Sequence, residues 1–368
     1  MTSTSARIVR VGIRSWDLPL ARPLRVGSRG LERRTGLLVI MEDGEGHSGL
    51  GETAPLPGLH LESVEEAATQ LHELAGHLEG AAIPEGCPAL DGAFETWLGG
   101  LNLHPSVRTG AEGAVLTLLA DRAGKDLPHL LANNPAARVR INGLLDGDSA
   151  AVLEGAARLR NNGYAALKIK VGRRDAGVET DLVAAVRALV GQSVALRLDA
   201  NRAWDLMAAR EFAARVAPAG IEYLEEPLRD SSDLAAFVAD TPIPVALDET
   251  LLGFSPQAPP PLQGVAALIL KSSVLGGYER SLAWARLARR QRLAAVVSAA
   301  FPSAVGMALD IACAAALGDE TAHGLGTSSA FAEDLGRAPL TIDGGRIDAR
   351  RLPFRPAEFN LERTRVLR

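Results

Sequence analysis

Five charged residues end short apolar runs between positions 166 and 271. Lys170 ends ALKIK, Asp199 LRLD, Glu225 YLE, Asp248 VALD and Lys271 ALILK. A charge in such company is costly to bury unless it is paired or does chemistry. Asp199, Glu225 and Asp248 offer three sets of carboxylate oxygens. Hard cations such as Mg²⁺, with Mn²⁺ as a substitute, prefer oxygen ligands. No Cys or His cluster has zinc spacing. Lys168 and Lys170 form a KxK, and period-two alternation puts both on one face of a strand. Desolvation and neighbouring cations lower the pKa of a lysine, which makes it a usable base near neutrality. Lys271 follows LIL and precedes Ser-Ser. Each residue also has a plainer reading. Asp caps helices, and lysines are ordinary on exposed edge strands. Recurrence of the same pattern in consecutive runs argues for chemistry.

These side chains need elements that bring them together. The runs read as strands buried on both faces, and the Ala- and Leu-rich segments between them have helical spacing, as in parallel βα units. Strand starts near Arg138, Ala166, Val194, Ile221, Val245, Ala266, Ala294 and His323 recur at roughly 22–29 residues and number about eight, enough to close a β/α barrel. A barrel would carry the five charged residues to one mouth, at the C-terminal ends of its strands. An open doubly wound sheet is the alternative, weakened because no GxGxxG follows the first strand.

Residues 6–55 read as β-rich, with a hairpin turn at Asp43-Gly44 and glycines at 46, 49 and 51 suited to bulges or close approach. Ala21–Arg34 reads as a loop, either simply exposed or a mobile lid, with Ala54–His60 as a second Pro/Gly loop beside it. Ser63 and Glu66 form a capping-box pattern ahead of a helix over 62–78. Further helices are expected at Ala89–Leu101 and Pro105–Arg122. The first unit, 1–108, is thus α+β. The β/α unit spans 109–334, and the tail, about 335–368, is expected to return to the first unit.

A chain of 368 residues can bury an ample core. Its net charge of −5 and scattered basic residues give no sign of a nucleic-acid surface, so no nucleic-acid partner is expected. No run approaches a bilayer span, and the N-terminus lacks the apolar core of a signal peptide, so a cytoplasmic protein with no membrane partner is expected. Cys87 and Cys313 sit in no CxxC and read as reduced packing residues.

Taken in order, KIKVG, LRLDANRAW, YLEEPL, ALDE and LILK resemble the enolase superfamily, and within it the muconate-lactonizing-enzyme subgroup. Gly51–Leu59 (GETAPLPGL), LRLDANRAW and INGLL are most similar to the o-succinylbenzoate synthase family. The resemblance implies an α/β chain with a modified (β/α) TIM-like barrel and an N-terminal α+β capping domain. It implies Asp199, Glu225 and Asp248 as Mg²⁺ ligands, Lys170 as acid/base and Lys271 as the opposed cation. Lys168, Arg197, Asn201, Ser298 and Ser303 become candidate substrate or supporting contacts, with Glu226 and Glu249 outside the ligands. Arg197 could instead form a salt bridge inside the barrel.

The superfamily's established pattern is a Lys or His base beside Mg²⁺ that stabilises an enediolate. The implied reaction is syn-dehydration of 2-succinyl-6-hydroxy-2,4-cyclohexadiene-1-carboxylate to 2-succinylbenzoate in menaquinone biosynthesis. Two departures are visible. SAAFPSAVG carries Pro302 where many relatives have an acid, and HGLGTSSAF lacks the Asp-x-Asp of dipeptide epimerases. Epimerisation or racemisation of dipeptides or N-acylamino acids is the alternative function, because it uses the same groups. Muconate-type cycloisomerisation and a non-catalytic metal-binding barrel stand further off. The expected partner is a small-molecule carboxylate, and a homo-oligomer is compatible with the sequence.

Overall fold

The computed structural model describes residues 6–26 and 29–368. β1 (Ile8–Val26) and β2 (Arg29–Asp43) form a long antiparallel hairpin, and β3 (Ser48–Thr53) pairs with β2. Alternation buries Val11, Ile13, Trp16, Leu18 and Leu20 along β1. The turn after β2 is closed by Asp43, whose Oδ1 accepts from the Glu45 and His47 amides, 2.9 Å each. The expected loop over Ala21–Arg34 is corrected. Apart from Gly27 and Ser28, which lie outside the described residues, these residues belong to the two strands, paired Leu24↔Leu31 and Val26↔Arg29. Prolines and a bulge between Pro19 and Leu24 hid the alternation, and the pairing partner comes from the opposite strand.

The capping box forms at α1 (Val64–Leu78), with Ser63 Oγ accepting from the Glu66 amide. The helix expected over 89–101 is shorter. Left-handed Leu90 and Gly92 confine it to α2 (Ala93–Leu98), between two 3₁₀ turns. α3 (Pro105–Ala123) is buried for most of its length. It lies so close to β3 that a Cβ on Gly51 would stand 1.9 Å from the Gly110 carbonyl oxygen, and one on Gly49 2.0 Å from that of Ala114. Helix α4 (Leu127–Leu131) follows.

The run VRINGLL, expected as one barrel strand, splits into β4 (Arg138–Arg140) and β5 (Gly143–Leu145). Then come α5 (Ser149–Asn161), β6 (Ala166–Lys170), α6 (Ala176–Val190), β7 (Ala195–Asp199), α7 (Leu206–Val216), β8 (Ile221–Glu225), α8 (Leu234–Asp240), β9 (Val245–Leu247), β10 (Val265–Leu270), α9 (Ser272–Leu275), α10 (Tyr278–Gln291), β11 (Ala294–Val297) and α11 (Ala304–Leu317). β5 to β11 form one parallel sheet in sequence order. The eighth strand expected at His323 is reduced to two bridging residues, because Gly-rich chain sustains no longer strand. They still join the sheet's edges: the Asn142 amide donates to the His323 carbonyl at 2.8 Å, and the Gly324 amide to the Val297 carbonyl at 2.8 Å.

β12 (Ile342–Asp343) and β13 (Arg346–Asp348) form a small antiparallel sheet with β4, and β14 (Thr364–Val366) pairs with β1. Capping-sheet residues such as Ile13 and Val39 share one apolar core with Val115 of α3 and Ile311 of α11, so cap and barrel are packed together. Both cysteines are buried and free. Among the described residues no helix is long and apolar enough to cross a membrane.

Two outcomes follow. Gly51→Ala should cost about 3 kcal/mol of stability by overpacking the β3–α3 contact, read as a lower urea midpoint with activity retained in the folded fraction. The second concerns acid. The His323 Nδ1 accepts from the Val297 amide at 3.1 Å, which requires a neutral ring. Burial pushes the His323 pKa down to about 4, against an opposing pull from Asp319. The folded state therefore binds fewer protons than the unfolded chain between pH 6.5 and 4, and stability falls as pH drops through that window. The loss should reach about 3 kcal/mol, and the slope between pH 7 and 5 should flatten in His323→Gln.

Candidate active site

Parallel register sets the level of the charged strand ends. Lys170 lies beside Asp199, and Asp199 beside Glu225. Leu270 pairs with Val297, which puts Lys271 next to Ser298 at the end of β11. β6 and β10 are the second and sixth barrel strands, so Lys170 and Lys271 face each other across the mouth with the three carboxylates on the strands between.

The contacts are ionic. Lys168 Nζ lies 2.8 Å from Asp199 Oδ2 and 2.6 Å from Glu225 Oε1. Lys170 Nζ reaches Asp199 Oδ2 and Asn201 Oδ1, both at 2.7 Å. Lys271 Nζ is bonded to Asp248 Oδ2. Helix capping is excluded as the role of these acids. Asp175 and Asp205 cap α6 and α7, whereas Asp248 makes no side-chain cap.

Burial and like charge pull the acids apart. Burial works against the Asp199 carboxylate, but Lys168 and Lys170 outweigh it and hold its pKa below the usual range. Glu225 has the same burial and shares Lys168, yet burial first and then the Asp199 charge push it up to about 8. Two adjacent carboxylates on one ammonium favour one charge and one proton. Burial, followed by the Asp248 charge, raises Glu249 to about 7. Burial opposes the charge on Lys168 and Lys271, but their carboxylate partners raise both.

The backbone is bent where these residues meet. Asn201, Arg202 and Glu226 all have positive φ, at 43°, 61° and 41°. Such strain in non-glycine residues is held by surrounding bonds and collects at functional sites. The Glu226 carboxylate accepts from the Asp248 and Thr250 amides, 2.7 Å each, and from Thr250 Oγ1 at 2.9 Å and Arg202 Nε at 3.1 Å. It therefore fixes the end of β9 that carries Asp248. Asn201 connects Lys170 to Glu249, its Nδ2 donating to Glu249 Oε1 at 3.3 Å.

Two expected substrate contacts are corrected. Arg197 is on the mouth-facing side of β7 but one layer deeper. Its Nε donates to Glu222 Oε2 at 2.6 Å, its Nη1 to the Ala322 carbonyl, and its guanidinium lies over the Tyr223 ring. With 3% exposure it is a barrel-interior ion pair. Ser303 has no exposure. It caps α11, and its amide donates to Glu52 Oε1 at 2.8 Å. Ser298 remains at the mouth. Sequence reading missed Glu52 and Arg202, since neither ends an apolar run. Their only signal was membership in GETAPLPGL and LRLDANRAW.

The donors fit a hard divalent cation. Asp199, Glu225 and Asp248 supply only carboxylate oxygens, and Glu225 Oε2 is buried without a hydrogen-bond partner. Among the described residues no three acidic, His or Cys side chains are already grouped closely enough to grip an ion. The three lysine side chains are instead bonded directly to these carboxyl groups.

Residues 151–353 match the family described as enolase C-terminal domain-like, and residues 8–90 match the MenC N-terminal domain. The chain belongs to the enolase superfamily of enzymes, in the mandelate racemase and muconate-lactonizing branch. Its relatives narrow the resemblance further. It is 33% identical over 321 residues to the o-succinylbenzoate synthase of Citrobacter koseri, covering 85% of this chain and 89% of that one. It is 34% identical over 341 residues to the chloroplastic protein PHYLLO of Arabidopsis thaliana, covering 82% of this chain but only 20% of that protein's length. The dipeptide epimerase of Enterococcus faecalis, solved with Mg and the dipeptide L-Leu-L-Tyr, has the same fold. Its TM-score is 0.81 at 20% identity, over 95% of this chain and 98% of that one.

If the acids hold Mg²⁺, Asp248→Asn should abolish its binding in calorimetric titration while the fold survives. Glu226→Gln, which loosens only the support of Asp248, should weaken binding by about 10–100-fold. Unchanged Mg²⁺ affinity in both variants would remove the site.

Proposed function

We propose that this enzyme is a Mg²⁺-dependent o-succinylbenzoate synthase. It would dehydrate 2-succinyl-6-hydroxy-2,4-cyclohexadiene-1-carboxylate to 2-succinylbenzoate, a step of menaquinone biosynthesis. The observation that carries the substrate assignment is the match of the capping segment, residues 8–90, to the MenC N-terminal domain. The barrel groups alone do not choose among superfamily reactions. The 33% identity to a synthase over most of both chains supports the same reading.

Each residue then has a task. Asp199, Glu225 and Asp248 would hold the cation, which when bound would stabilise negative charge developing on the substrate carboxylate. Lys170, oriented by Asn201 and acting as the free amine, takes the α-proton, and the electron pair of that C–H bond becomes the ring π-bond. The same ammonium then returns the proton to the departing hydroxide on that face, so water leaves and the ring becomes aromatic. Lys271 supplies fixed positive charge from the opposite side, and its contact with Asp248 keeps it an ammonium. Lys168 stays paired with Asp199 and Glu225 and balances the charge of the acids.

The test is an assay of purified protein with this substrate and Mg²⁺, following aromatic product by absorbance. Lys170→Ala should lose about 10²–10⁴-fold or more, since one group serves two proton transfers. Lys271→Arg should impair dehydration, because a guanidinium fork cannot sit where a compact ammonium did. An epimerase instead needs both lysines to move protons. Exchange at the α-carbon of each enantiomer of an N-acylamino acid in D₂O separates the two. Dehydration surviving in Lys170→Ala but lost in Lys271→Ala would reverse the assignment of the base.

A further inference from the structure

The loop between β11 and α11 is gripped from the capping sheet by two buried side chains, a guanidinium and a carboxyl group. Arg34, on β2, is 1% exposed. Its guanidinium donates to four backbone carbonyls: Thr35 at 3.2 Å, Ala54 at 2.8 Å, Pro55 at 3.0 Å and, across the seam, Phe301 at 3.2 Å. Glu52, on β3, is fully engaged on the same loop. It accepts from the Ser303 amide at 2.8 Å, the Gly306 amide at 2.9 Å and the Ser303 hydroxyl. The guanidinium meets a carbonyl, and the carboxyl oxygens of Glu52 meet amides at the N-terminus of α11, although burial raises the Glu52 pKa against the pull of those donors.

The gripped segment is strained. Phe301 has φ of 54°, a left-handed conformation that bulky residues avoid. It belongs to the segment that leaves the barrel mouth just after Ser298. Pro302 and Ala300 of this segment line a small cavity with Glu52 and Ala54 of the cap and with Ser273, two residues beyond Lys271. That cavity is about 20 Å³, room for about one water.

We propose that Arg34 and Glu52 are positioning residues for substrate binding: they clamp the β11–α11 loop to the capping sheet and hold Phe301 in its left-handed conformation, so that the cap shapes the seventh-strand wall of the mouth. The kinetic consequence rests on the proposed function. The clamp itself does not. Neither residue moves a proton, so loss of the clamp raises KM and leaves the chemical step nearly intact.

The experiment compares Arg34→Met, Arg34→Lys, Glu52→Gln, Phe301→Gly and the Arg34→Met/Phe301→Gly double variant in the full chain. In Arg34→Met, KM should rise about 10-fold, the worth of one lost charge-assisted bond, with kcat within about threefold. Arg34→Lys should behave similarly, because one ammonium cannot serve carbonyls on both sides of the seam. Glycine adopts the left-handed conformation freely, so the double variant should recover most of the lost KM.

Amide hydrogen exchange at Ser303 and Gly306 should quicken in Arg34→Met and in Glu52→Gln while the barrel strands stay protected. Exchange needs no substrate, so it reads the clamp even if the wild-type protein fails to dehydrate the cyclohexadiene, a result that would defeat the proposed function alone. Glu52→Gln keeps the test open if the arginine variants do not fold. Unchanged exchange at Ser303 and Gly306, equal losses in kcat and KM, or a double variant no better than Arg34→Met would each overturn the proposal.

Discussion

Asp199 and Glu225 lie side by side, both buried, in the mouth of the barrel and share the ammonium of Lys168. The rest of the structure has to make that arrangement tolerable. Asp199, bonded to both Lys168 and Lys170, is held low, and Glu225, left with a share of Lys168 alone, is raised by burial and by the Asp199 charge. Lys170, Lys271 and the amides that fix Glu226 spread the compensation outward. A divalent cation would relieve the same crowding, since it converts mutual repulsion into shared attraction.

This arrangement depends on parallel register. Each strand delivers its last side chain at the same height, and the sheet must be closed for the mouth to exclude water. Closure here is slight. His323 and Gly324 replace a strand with two bridges, and a neutral imidazole accepting from the Val297 amide is part of the join. Beneath the charged layer, Arg197 is neutralised by Glu222 and covered by Tyr223, so the barrel floor carries its own ion pair away from the chemistry.

The cap is not a separate lid resting on this barrel. Glycines 49 and 51 let β3 touch the backbone of α3, and the apolar core runs from the capping sheet into α11. The hairpin of β1 and β2 also meets the loop after the eighth bridge, where the Ala332 amide donates to the Pro19 carbonyl at 3.0 Å. The capping sheet is thus packed and hydrogen-bonded against the barrel rather than set loosely over it.

Much of this was legible in the amino-acid order. Apolar runs ending in charge located the strands from Ala166 to Lys271 and the residues at their ends, because burial on both faces leaves no other role for such runs. The capping box at Ser63 was equally local, and local patterns survive in sequence. What depended on a distant partner did not. The hairpin through Ala21–Arg34 reads as a loop until its strands pair. VRINGLL looks like one strand until β13 takes half of it. Arg197 and Ser303 have the right types and positions for substrate contacts, and only the tertiary structure shows them already committed, to Glu222 and to Glu52. Residue type and spacing determine which side chains could do chemistry. Only the fold decides which of them have their hydrogen bonds and charges already satisfied by another part of the chain, because that depends on contacts between residues far apart in sequence.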